Sequence, residues 1–93
     1  MTDGAQQRTF TIQNKRGLHA RAAAKFAAVA NGFSCEIEVE RNGQSVPGRS
    51  IMGLMMLAAS KGTEICVTAE GQDAEEAVGA LGDLVSGRFD EGR

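Results

Sequence analysis

The chain has one histidine, His19, in the run Gly17-Leu18-His19-Ala20-Arg21-Ala22-Ala23-Ala24-Lys25-Phe26. A glycine closes the segment before it, and an alanine-rich stretch with clear helical character follows. The imidazole therefore falls at the N-terminus of a helix, with an arginine two residues on. Such an end carries unpaired N–H groups and a partial positive charge, and it favours anions. A cation in the first turn opposes the dipole and makes sense if an anion visits. No Ser, Cys or carboxylate lies close by in sequence to complete a hydrolytic triad. The remaining chemistry is covalent: a phosphoryl group taken up on the ring and passed on. The competing reading is a partly exposed histidine that only caps a helix, and a lone histidine fits that description more often.

A second position is Ser50, directly before Ile51-Met52-Gly53-Leu54-Met55-Met56-Leu57. Serine there is first of all an N-cap. The segment it caps is more apolar than one buried face requires. Ile51, Leu54 and Leu57 can fill a core, which leaves Met52 and Met55 for a surface that several partners could share. The acidic row Glu36, Glu38 and Glu40 is expected to be a solvated sheet face.

These residues need a frame, and the pattern supplies one. Arg8–Gln13 alternates as a half-buried strand, with Phe10 and Ile12 inward. Ala20–Ala30 is helical, and Asn31-Gly32 should end it with a left-handed glycine. Ser34–Glu40 is a strand with Cys35, Ile37 and Val39 inward. Asn42-Gly43 turns it into a short return strand stopped by Pro47. A short helix starts after Ser50 and a fourth strand covers Thr63–Glu70. Asp73 with Glu76 suggests a capping box for a last helix, whose stripe is Ala74, Ala77, Val78, Leu81, Leu84 and Val85. The order is β-α-β-β-α-β-α. One-sided strands predict helices on one face of the sheet and water on the other. Residues 1–7 are expected to be disordered, residues 8–87 to form the domain and residues 88–93 to form a frayed tail. Cys35 and Cys66 fall on opposite strand phases, so two free thiols are expected.

Composition limits the function classes. Ninety-three residues make one small domain. A formal net charge of -2 gives no reason to expect nucleic acid or an anionic membrane as partner. Aromatic platforms for bases are lacking, with no Trp or Tyr. Two distant cysteines and one histidine do not make a zinc site, and no glycine-rich cofactor loop is present. No apolar run is long enough to span a membrane and Met1–Arg8 lacks a signal-peptide core, so a cytoplasmic protein with no cofactor or metal is expected.

Gly17-Leu18-His19-Ala20-Arg21 and Ser50-Ile51-Met52-Gly53-Leu54-Met55, about thirty residues apart, together resemble the two signature sites of the HPr family. HPr proteins are the histidine-containing phosphocarriers of the bacterial phosphotransferase system. The resemblance runs from about Arg8 to Val85 and includes the Lys61-Gly62-Thr63-Glu64 lead-in to the fourth strand. It implies an α+β open-faced sandwich, with a four-stranded antiparallel sheet and three helices on one face. It implies a monomeric carrier rather than an enzyme, in which His19 takes a phosphoryl group on Nδ1 from Enzyme I and hands it to an Enzyme IIA protein or domain. Arg21 would neutralise phosphoryl oxygens. Ser50 would be phosphorylated by HPr kinase/phosphorylase, and Arg16, Leu18, Arg49, Met52 and Met55 would dock partners. Two residues depart from many members: Ala22 replaces a proline and Arg16 replaces a small polar residue. Such departures occur in the nitrogen-type branch, whose output is regulation. The rival to a carrier is a non-catalytic module that docks partners through Leu18, Met52 and Met55; a small hydrolase lacks a second catalytic group.

Overall fold

The computed structural model describes residues 5–91, and Met1–Gly4 and Gly92–Arg93 lie outside the described part. The elements are β1 (Ala5–Thr11), α1 (Ala20–Asn31), β2 (Glu36–Arg41), β3 (Gln44–Pro47), α2 (Ile51–Met56), β4 (Glu64–Glu70) and α3 (Ala74–Ser86). A 3-10 turn, Arg88–Asp90, follows α3. The strands form one antiparallel sheet in the order β1-β4-β2-β3. The last strand in sequence is thus threaded between the first two. Its register sets Ile65 opposite Phe10, and Val67 opposite Val39, which on its other side faces Val46. A strand's side chains alternate between faces, so this register gathers the apolar residues on one side.

On that side lie the three helices and a single core. Ile37, Val39, Ile65, Val67 and Ala69 from the sheet meet Ala22, Ala23, Phe26 and Ala30 of α1 and Ala77, Val78, Leu81 and Val85 of α3. Glu36, Glu38 and Glu40 point away and are exposed, as their strand phase requires. The β2–β3 hairpin turns at Asn42 and Gly43, both at positive φ (54° and 81°), the conformation an Asn-Gly two-residue loop supplies. Cys35 is buried and Cys66 half-buried, and both are free thiols.

Three local expectations are corrected. Gly32 ends α1 at φ -77°, not in a left-handed conformation; its N–H still closes the last turn on Val29 and Ala30 carbonyls. Asp73 forms no side-chain cap on α3. Its carboxylate instead accepts from the backbone N–H groups of Ser34 (2.7 Å) and Cys35 (2.9 Å), pinning the lead-in to β2. The terminal segments differ as well. Of the two that were expected, Met1–Gly4 and Gly92–Arg93 lie outside the described residues, but β1 begins at Ala5, so Ala5–Gln7 are strand, and Arg88–Asp90 form a 3-10 turn.

That last segment is unusual in its backbone. Arg88, Phe89 and Asp90 have φ of 58°, 53° and 63°, three successive left-handed residues without a glycine. Each costs about 1–2 kcal/mol relative to a right-handed residue. Phe89 is fully buried, which contributes about 1.5–3 kcal/mol. One ring does not offset the whole cost. Polar contacts must hold the strap as well, and they lead to His19.

Candidate functional site: the N-terminus of α1

His19 is itself the N-cap of α1, extended in backbone, and its Nδ1 accepts from the Arg21 N–H at 3.3 Å. The cap reading was therefore correct as geometry. A conventional cap uses a side-chain oxygen on the second or third helical N–H; here a ring nitrogen does the same. The loop before it is fixed by backbone hydrogen bonds. Leu18 N–H donates to Ala59 O at 2.9 Å, Ile12 N–H to Thr63 O at 2.9 Å and Gly62 N–H to Ile12 O at 2.9 Å. Gly17 sits at φ 67°, and a Cβ there would run into the Ala59 carbonyl. The glycine before the histidine is thus required by both conformation and space.

Leu18 was expected on the surface. It is 4% exposed and belongs to the core, because pinning its N–H to Ala59 turns its side chain inward. The imidazole side chain is 22% exposed. Its Nε2 pairs with the carboxylate of Glu91, 72 positions on in sequence. Glu91 also accepts from Asn14 Nδ2 at 3.0 Å, and the same Nδ2 donates to Gly17 O at 2.8 Å. Asn14 is fully buried, so loop and strap are tied through one amide. Lys25 Nζ donates to Phe89 O at 2.7 Å and lies 4.0 Å from Asp90 Oδ2. Donation by His19 holds the Glu91 carboxyl below the usual carboxylate range; Asn14 and the nearby Arg21 add to this, against partial desolvation.

A cleft of about 680 Å³ is lined by Lys15, Arg16, Arg21, Lys25, Asp90 and Glu91, of which Arg21 and Glu91 hydrogen-bond the His19 ring. Four cations against two carboxylates make it a place for an anion, and Arg16 and Arg21 are both exposed to it. Sequence reasoning found Arg16 and Arg21 but missed Asn14, Lys25, Phe89 and Glu91. One signal was available: an isolated phenylalanine in a polar terminal segment usually has somewhere to go.

The second position is built differently. Ser50 caps α2, its Oγ accepting from Gly53 N–H at 3.0 Å, and it is half-exposed. Met52 is 73% exposed, with Met55, Met56 and Ile51 also on the surface, while Leu54 and Leu57 are buried. Arg49 is not a free cation. Its guanidinium donates to Phe33 O at 2.6 Å and Cys35 O at 3.0 Å, joining the lead-in of α2 to that of β2. α2 packs on α1, so the methionine surface adjoins the helix that His19 caps. Among the described residues there is no cluster that could hold a metal ion, and no helix is long and apolar enough to cross a membrane.

Comparison with known proteins agrees with this geometry. A family model described as the "PTS HPr component phosphorylation site" matches residues 6–87. The phosphocarrier protein HPr of Pseudomonas aeruginosa is 55% identical over 83 residues, covering 88% of this chain and 92% of that one. A phosphocarrier protein NPr from Shewanella violacea is 42% identical over 85 residues, covering 91% and 93%. The crystal structure of HPr-C-His from Thermoanaerobacter tengcongensis superposes with a TM-score of 0.89 at 46% identity, covering 92% of this chain and 97% of that one. With a family model matching residues 6–87, a relative 55% identical over most of both chains and the same fold, the chain belongs to the HPr family, the phosphocarrier proteins of the phosphotransferase system, which carry a phosphoryl group without themselves being enzymes.

Proposed function

We propose that His19 is the residue that carries the phosphoryl group, receiving it on Nδ1 from phosphorylated Enzyme I and giving it to an Enzyme IIA protein or domain. The observation that carries this reading is the placement of Nδ1. It sits at the first turn of α1 and accepts the Arg21 N–H, and the two residues that hydrogen-bond the ring, Arg21 and Glu91, both line a cleft rich in cations. A phosphoryl group bonded to Nδ1 could take up the same N–H through an oxygen, with the exposed Arg21 side chain at the cleft to neutralise the charge. Arg16 adds a second cation at the same cleft. Docking falls to Met52 and Met55, with Arg16 at the rim; Leu18 and Arg49 are committed to the fold and drop out of the docking set.

Ser50 is proposed as the site of HPr kinase/phosphorylase. Its half-exposed hydroxyl stands beside the methionine surface, and a phosphate there would add about -1.5 to -2 charges to it. A partner that buries Met52 and Met55 would then bind less well. The nitrogen-type branch is the proposed setting, supported by Arg16, Ala22 and the NPr relative, in a cytoplasmic, monomeric protein.

The test is direct. Incubation with phosphoenolpyruvate and Enzyme I should add one acid-labile phosphoryl group by mass, absent in His19→Ala. No gain under conditions that phosphorylate a control HPr would leave the docking-module reading, in which His19 is a cap alone. For Ser50, ATP with HPr kinase/phosphorylase should add an acid-stable label that Ser50→Ala lacks.

A further inference from the structure

The carboxylate on the far side of the His19 ring is not explained by the fold alone. Glu91 lies at the end of a strap whose three left-handed residues are costly, and the strap delivers its carboxylate to Nε2. The opposite ring nitrogen, Nδ1, accepts a backbone N–H from Arg21. A neutral imidazole has one N–H and one lone pair. With a donor facing Nδ1 and an acceptor facing Nε2, the proton belongs on Nε2 and the lone pair on Nδ1. Asn14, fully buried, aims the carboxylate by donating to its other oxygen.

We propose that Glu91 is a positioning residue for the phosphoryl relay, fixing the Nε2–H tautomer of His19 and balancing the charge the ring gains when Nδ1 is phosphorylated. The inference rests on the reading of His19 as acceptor. In the transfer step the Nδ1 lone pair forms the new N–P bond. The donor's bond to phosphorus breaks, and its electron pair stays with the donor. No proton moves: Nε2 keeps its hydrogen, and the ring gains a formal positive charge spread over both nitrogens. The Glu91 carboxylate lies against that charge, and Arg21 is left to serve the phosphoryl oxygens. On the return transfer the charge is lost as the Nδ1–P bond breaks, and the tautomer is ready for the next cycle. A carboxylate that holds a histidine's second nitrogen sets its tautomer in this way elsewhere in enzyme chemistry.

The ring nitrogens can be read by 15N NMR of the full chain, in the neutral-imidazole range and with no phosphoryl donor present. In the wild type the Nε2–H form should dominate. Glu91→Ala should shift the spectrum toward a tautomer mixture, and Glu91→Gln, which keeps an acceptor oxygen, should lie between. Thermal melting identifies any variant that has unfolded; Glu91→Gln, nearly isosteric, then decides alone. Single-turnover phosphorylation by phospho-Enzyme I should slow at least about tenfold in Glu91→Ala, the effect of one lost charge-assisted hydrogen bond. The Enzyme I concentration giving half the maximal rate should not change, because Glu91 is not a docking residue. A tautomer ratio insensitive to Glu91→Ala, or a changed ratio with an unchanged rate, defeats the positioning role while leaving His19 as acceptor. A wild type that takes no phosphoryl group defeats the reading of His19 itself.

Discussion

The N-termini of α1 and α2 are each capped by the side chain of the residue just before the helix, His19 in one and Ser50 in the other. Around α2 the cap is local: Ser50 reaches Gly53, three residues on, and the helix then turns its methionines to solvent. Around α1 the cap is enclosed. Its ring is held by Glu91 from the other end of the chain, on a strap anchored by Phe89 and Lys25. A surface that partners share can be loosely built, because flexible methionines adapt to each. Under the proposed function, a ring that must offer one chosen nitrogen is held from both sides, and the difference separates a docking surface from a phosphoryl-carrying centre within one small domain.

The largest expected effect falls on the enclosed end. Phe89→Ala removes a fully buried ring and the anchor of a left-handed strap, and should cost about 3–5 kcal/mol in denaturant unfolding. A cost under 1 kcal/mol would mean that the strap is dispensable and that the two helix ends are alike. Acid should come next. Glu91 is held below its ordinary value of 4.5 by His19 and then Asn14, and Asp73 below 3.8, chiefly by the Ser34 N–H. A carboxylate depressed in the folded state stabilises it fully above the unfolded value, and loses that contribution as pH falls through the folded one. Stability should therefore decline below about pH 4.5, and Glu91→Gln should flatten the upper part of that decline in a melting-temperature series.

At the local end, Ser50→Ala should cost about 1 kcal/mol, the usual worth of an N-cap, with Nδ1 chemistry at His19 unchanged. A phosphorylation rate that fell with it would show the two ends to be coupled. The smallest effect on stability should come from Met52→Ser with Met55→Ser, within about 0.5 kcal/mol. By calorimetric titration the same pair should weaken Enzyme I binding by more than about 1 kcal/mol. Unchanged binding would move the docking surface away from α2.

Sequence by itself determined the elements, the strand phases, the Asn42-Gly43 turn, the Ser50 cap and the location of His19 at a helix start. Each is a local property, set by side-chain periodicity, backbone preference and hydrogen bonds spanning a few residues. It did not determine that Leu18 faces inward, since both phases are open until Ala59 takes its N–H. Nor could it show that Asp73 serves β2 rather than α3, or that Arg49 is bound to two carbonyls. Glu91 read as part of a frayed tail, because nothing near it in the chain rewards its order. Only when β4 had been threaded between β1 and β2, and α3 laid across them, did the segment after Gly87 meet a site for Phe89 and a ring for Glu91. Contacts between residues 70 or more positions apart carry no local signature. The tertiary structure alone decided that a carboxylate from the far end of the chain meets the His19 ring at Nε2.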